Sequence, residues 1–329
     1  MKKIILLIYA MGLLLSSDGV YCQGIVDESV YSSEIQLVTD NDNYLLNMTD
    51  GYYTNGFYLS YGFIHYDRNQ ACKIKPNTSK IIYRFETGQM IFNPQNYDSY
   101  SNGNVDRPYA GYLFGKMEQT RFFQNENLLT VGFSMGTIGE ASLARRVQVT
   151  YHKLLGIHHL EGWETQLNNS LTMNGHLKYV QHLIGRKQQP IFDLSAIGNL
   201  NAGTAFDNLS AGWVMRLGKL ERNDQSAIWH SRLNKIQTRY ARISELFLFF
   251  QPELFYQIYD ASLQGGMFLR NKGPITSSPM PWFYRHRAGF YYAKNRFTCS
   301  MAYVHQSRQA RSMKGNDDYA SISVSYRFN

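Results

Sequence analysis

The chain has 329 residues, 44% of them hydrophobic and 18% charged, with 25 Tyr, 19 Phe, 4 Trp and a formal net charge of +8. So aromatic and weakly charged a composition excludes intrinsic disorder. A bundle of membrane-spanning helices is excluded too: beyond residue 20 no apolar run approaches the ~18 residues a spanning helix needs, and the longest, Leu246 to Phe250, is five.

At the N-terminus Lys2-Lys3, the almost wholly apolar stretch Ile4 to Leu15, and Ser16-Ser17-Asp18 form the basic, apolar and polar zones of a secretory signal peptide. Residues 1–22 are expected to be removed, which leaves a single domain over 23–329. Cys22 is a poor lipoprotein cysteine, because bulky Tyr21 stands where a small residue belongs. The remaining thiols, Cys72 and Cys299, cannot make a disulfide framework. In an exported chain the anionic partners that suit a charge of +8 are lipid head groups or lipopolysaccharide phosphates rather than nucleic acid.

From residue 31 onward, segment after segment alternates with period two. Phe57, Leu59, Tyr61 and Phe63 oppose Tyr58, Ser60 and Gly62; Leu129, Val131, Phe133 and Met135 oppose Thr130, Gly132 and Ser134; Ile322, Val324, Tyr326 and Phe328 oppose Ser321, Ser323, Ser325 and Arg327. Twelve such segments begin near residues 31, 53, 79, 109, 127, 170, 190, 208, 243, 282, 296 and 318. One apolar and one polar face on every segment predicts an all-β fold, a twelve-stranded antiparallel transmembrane β-barrel with both termini periplasmic. The extracellular connections are then 40–52, 91–108, 139–169, 205–207, 260–281 and 308–317. Within 139–169, the spacing of Leu143, Val147, Leu154 and Leu155 predicts a short helix. Lys219 to Arg242, long and charged, falls on the periplasmic side.

Three extracellular segments concentrate polar residues. Thr39 to Asn43, with Thr49 to Gly56, gathers Asn41, Asp42 and Thr54; this is turn chemistry, or a set of hard oxygen donors suited to Ca²⁺ without the spacing of an EF-hand. Gln148 and His152 stand at i and i+4, on one face of the predicted helix, where a neutral His is a candidate general base. His158 and His159 nearby raise zinc, but the neighbouring donors are carboxylates and amides with no Cys close by. In Asp106-Arg107-Pro108-Tyr109-Ala110-Gly111, Arg107 could hold a phosphate or pair with Asp106.

Together these residues resemble the lipid A 3′-O-deacylase family of outer-membrane barrels. The matching elements are Asn41-Asp42, Tyr53-Thr54-x-Gly56, the run from Asp106 to Gly111, Gln148-x-x-x-His152 leading to Gly156 and Trp163, and Asp317-Asp318-Tyr319 with the closing strand. The resemblance implies Ca²⁺-dependent removal of the 3′-linked acyloxyacyl group of lipid A in the outer membrane. By position, His152 would activate water, and Asn41, Asp42, Gln148 and Thr54 would hold the cation or the substrate, with Asn41, Asp42 and Gln148 as the cation's oxygen ligands. Two positions depart from the pattern: Phe92 to Val105 contains no Lys or Arg where a loop lysine stands in better-known members, and His158 stands where a glutamate follows the histidine. The rival enzyme is an outer-membrane phospholipase using His305 and Ser307, which share one strand face. The non-enzymatic rival is a small porin or adhesin, which leaves the ordered polar set unexplained.

Overall fold

A computed structural model describes residues 30–45, 51–65, 78–95, 105–156, 162–185, 191–234 and 244–329. The expected signal peptide, Cys72, His158 and His159 lie outside these residues. Cys299 is a free thiol.

Twelve strands close into one barrel: β1 (Ser33–Asn41), β2 (Tyr53–Ile64), β3 (Thr78–Phe92), β4 (Ala110–Phe123), β5 (Leu128–Ile138), β6 (Ser170–Ile184), β7 (Phe192–Gly203), β8 (Phe206–Lys219), β9 (Ser244–Asp260), β10 (Trp282–Lys294), β11 (Phe297–Gln306) and β12 (Asp317–Phe328). Every strand pairs antiparallel with its chain neighbours, and β1 closes on β12 from Ser33↔Phe328 to Asn41↔Ala320. The expected starts agree with the observed ones within two residues. Both strand ends at the closing seam put the termini on one side, as the even count requires.

The alternation sorts the two faces. Phe57, Leu59, Tyr61, Val131, Phe133, Met135 and Met301 are exposed on the outer wall, where only lipid can cover such a band. Gln36, Arg84, Lys116, Glu118, Lys178 and Glu253 point inward around a cavity of about 630 Å³. Charges there are neutralised in place: Lys116 meets Glu86 at 3.0 Å and Glu118 at 3.2 Å, and Arg285 meets Glu253 at 3.3 Å.

The periplasmic mouth is filled. After β8, residues 220–234 turn upward, and Ile228, Trp229 and His230 line the inner cavity. Bonds to widely separated strands hold the segment. Lys80 Nζ donates to Leu233 O at 3.1 Å, Asn223 Nδ2 donates to Glu126 O at 3.1 Å, and His230 Nδ1 lies 3.5 Å from Glu34 Oε1. Beneath it, buried Arg216 pairs with Asp193 and lies 3.6 Å from Glu245, which accepts from Ser226 Oγ at 2.6 Å. A mouth so plugged is unlike that of an open porin.

Candidate active site

At the extracellular rim the outward series of β3 runs through Phe85 to Gln89 and Ile91, and that of β4 runs through Met117 and Leu113 to Gly111. The β5–β6 connection folds down against this outer surface. Gln89 Nε2 donates to Ser142 O at 2.6 Å, just ahead of helix α1 (Ala144–Leu155). Ile91, Tyr109, Ala144 and Trp163 form a buried cluster behind the helix, with the Tyr109 and Trp163 rings 5.0 Å apart. Gly111 is required there: a Cβ on it would lie 2.1 Å from Ser142 Oγ and 2.2 Å from Ala144 Cβ. The glycine of the Asp106–Gly111 run therefore lets the helix touch the wall.

The face α1 turns to the wall is polar. Ala144, Gln148 and His152 are buried, at 1%, 1% and 4% exposure. Leu143, Val147 and Leu154, whose spacing predicted the helix, point away. The period was legible; the packed face was not the apolar one. Gln148 Oε1 accepts from Trp163 Nε1 at 3.0 Å, while Gln148 Nε2 is buried with no partner among the described residues. An N–H group left so is costly unless a ligand meets it.

Asn41, Asp42 and Thr54 gather at the neighbouring rim, around Gly51. Asp42 Oδ2 accepts from the Gly51 N–H, Thr54 Oγ1 donates to Gly51 O at 2.9 Å, and Asn41 pairs with Asn55 while accepting from the Asn43 N–H at 2.7 Å. A register shift between Tyr53 and Asn55 re-aims this corner of β2. Asp317, a motif residue to which the sequence assigns no role in the site, joins them here. Its Oδ1 accepts from the Tyr53 N–H at 3.3 Å and lies 3.2 Å from the point a Cβ on Gly51 would occupy; Asp42 Oδ2 lies 3.5 Å from the same point. Asp317 Oδ2 is buried without a partner among the described residues. Only the folded loops reveal this closeness, since 275 residues of sequence separate the two carboxylates (317 minus 42).

Among the described residues no group of three or more His, Cys, Asp or Glu is placed to hold a metal by itself. A cation at this corner must therefore draw on amide, hydroxyl and backbone oxygens as well as the two carboxylates. That mixed, hard donor set is of the kind Ca²⁺ takes, and an unpaired buried carboxylate oxygen fits it. The expected ligand Gln148 already has one carbonyl lone pair engaged by Trp163.

Arg107 neither pairs with Asp106 nor stands free for a phosphate. It is fully buried, its guanidinium sits 4.4 Å above the Phe92 ring, and it donates to Ser262 Oγ at 2.7 Å and Gln309 Oε1 at 3.3 Å. Asp106 accepts instead from Tyr52 Oη at 2.7 Å and from the Gln95 N–H at 3.2 Å. Burial and that carboxylate push the Tyr52 hydroxyl up to about 12. This pair of residues clamps the extracellular connections together.

At the rim end of β11, one strand along from Asp317, His305 and Ser307 do not bond to each other among the described residues. His305 Nδ1 meets Asp318 Oδ1 at 2.7 Å and its Nε2 lies 3.4 Å from Tyr284 Oη; Ser307 Oγ accepts from the Tyr284 N–H at 3.0 Å. Both tie β10 to β11, which is rim architecture.

A closed twelve-stranded barrel with an apolar outer belt and a loop helix packed through a polar face against its outer wall defines an outer-membrane barrel. The family model described as "Outer membrane protein LpxR" matches residues 6–328, and the chain belongs to that family. Among solved structures, LpxR from Salmonella typhimurium superposes with a TM-score of 0.65 at 18% identity, covering 90% of this chain and 100% of that one. The translocator domain of the autotransporter NalP from Neisseria meningitidis matches at a TM-score of 0.44 and 11% identity, covering 98% of this chain and 95% of that one. No curated protein matches the chain by sequence. The protein is an outer-membrane protein.

Proposed function

We propose that the protein hydrolyses the 3′-linked acyloxyacyl ester of lipid A in the outer leaflet, the reaction of the deacylases whose motifs it carries. The observation that carries this reading is the buried polar face of α1, with Gln148 and His152 held against the outside of the barrel wall, where an outer-leaflet lipid arrives.

His152 acts as the general base. A neutral ring nitrogen takes a proton from water as the water oxygen bonds to the ester carbonyl carbon, and the same nitrogen returns the proton to the departing sugar oxygen when the C–O bond breaks. The products are a free fatty acid and a 3′-hydroxyl. Gln148, its carbonyl oxygen held by Trp163, turns its amide N–H groups to the substrate. Asn41, Asp42 and the oxygens around Gly51, with Asp317 beside them, would hold Ca²⁺; when bound, that ion supplies positive charge for the oxygen that becomes negative in the transition state. Thr54 keeps the Gly51 carbonyl in place.

The test is mass spectrometry of lipid A from cells expressing the wild type or His152→Ala. Loss of the 3′ acyloxyacyl group with the wild type alone is expected. Unaltered lipid A with a correctly folded wild type would rule the reaction out.

A further inference from the structure

Helix α1 is amphipathic inside out. Its barrel-facing stripe is Ala144, Gln148 and His152, whereas Leu143, Val147, Tyr151 and Leu154 are 45%, 48%, 38% and 77% exposed. Arg145, Arg146 and Lys153 are exposed as well. At about 100° per residue, the apolar stripe and the basic stripe fall on opposite sides of the buried one. A helix in water would bury such apolar residues; Val147 and Leu154 are instead exposed, and among the described residues no buried cluster takes them in. The start of α1 is fixed at the level of the lipid-facing band, because Gln89, which holds Ser142, pairs directly across the sheet with exposed Phe57.

We propose that α1 is an interfacial helix, with the stripe from Leu143 to Leu154 seated in the acyl-chain layer of the outer leaflet and Arg145, Arg146 and Lys153 at the level of the lipid phosphates. Continuity with the apolar belt sets the depth, and the basic stripe supplies the complementary charge. The occupant of the exposed face is lipid, not a second protein.

Nitroxide collision measurements test the placement independently of catalysis. The labels go on V147C, L154C, R146C and K153C, each in a C22S/C72S/C299S background, with the barrel folded into vesicles of phosphatidylcholine and phosphatidylglycerol. Labels at 147 and 154 are expected to collide preferentially with molecular oxygen, which partitions into lipid. Labels at 146 and 153 should collide preferentially with a water-soluble nickel chelate. All four positions are exposed, so the substitutions spare the packed face, and heat-modifiable migration in gels reports the folded barrel. Nickel collisions dominating at 147 and 154, or equal accessibility of the two stripes, overturns the proposal. An inactive wild type with the expected pattern sinks only the hydrolytic reading.

Discussion

Trp163 donates its indole N–H to Gln148 Oε1 across 3.0 Å, and this bond determines which end of the Gln148 amide faces the site. Trp163→Phe keeps the bulk packed against Tyr109 and removes the donor, so the amide is free to rotate. A neutral hydrogen bond contributes about 0.5–1.5 kcal/mol, and deacylation is expected to fall by up to about tenfold while the barrel folds normally. Steady-state assays on purified lipid A check this; unchanged activity would mean that the orientation of Gln148 does not matter.

The two histidine sites make opposite predictions. His152→Ala should lower deacylation by about 10²–10⁴-fold, the usual loss for a general base. Ser307→Ala should leave it intact, since Ser307 bonds to the backbone of β10 and not to His305. If Ser307→Ala is the inactive variant, the enzyme is a serine esterase.

Chelation separates cation chemistry from simple base catalysis. With donors confined to carboxylate, amide and backbone oxygens, EDTA should abolish hydrolysis and Ca²⁺ should restore it better than Zn²⁺, which favours His and Cys. Full turnover in excess EDTA would remove the cation from the mechanism.

Much of this architecture was legible because a barrel wall writes itself as alternation. Phe57, Leu59 and Tyr61 must face lipid whatever the rest of the chain does, so strand starts could be placed within two residues. The i, i+4 relation of Gln148 and His152 was equally visible. The packed side of α1 was not, because Val147 and Leu154 have the same helical spacing whether they meet protein or lipid. Arg107 was also opaque: Phe92 ends β3, Ser262 and Gln309 come from two other extracellular connections, and only closure of the barrel brings them together. Parity placed residues 220–234 on the periplasmic side, but their turn into the lumen depends on partners such as Glu34 and Lys80 far away in the chain.

The plug predicts both stability and silence. Arg216→Met would leave Asp193 and Glu245 buried without their shared cation, and breaking such a pair costs about 3–5 kcal/mol. The folded, heat-modifiable band should disappear at a clearly lower temperature in this variant. In planar bilayers the wild type should carry no steady current; a stable open conductance would show that residues 220–234 do not seal the mouth.

Gly51 offers the most selective probe of the corner where Asp42 and Asp317 approach. The residue needs no unusual backbone angle, so Gly51→Ala brings no conformational strain of its own. Its effect is the new methyl group, 3.2 Å from Asp317 Oδ1 and 3.5 Å from Asp42 Oδ2, which must push at least the nearer carboxylate aside. The strands on either side keep their ladders, so assembly and heat-modifiable migration should match the wild type. Cation binding should weaken by about tenfold, or about 1.4 kcal/mol, and hydrolysis should recover as Ca²⁺ is raised. Terbium luminescence sensitised by Tyr52 and Tyr53 gives the affinity without reference to turnover. Asp317→Asn should weaken binding too, since it lowers the charge facing Asp42. Wild-type affinity in both variants would move the cation away from Gly51 while leaving the base at His152 untouched; a loss in Gly51→Ala that Ca²⁺ cannot rescue would mean that the methyl group disturbs substrate instead.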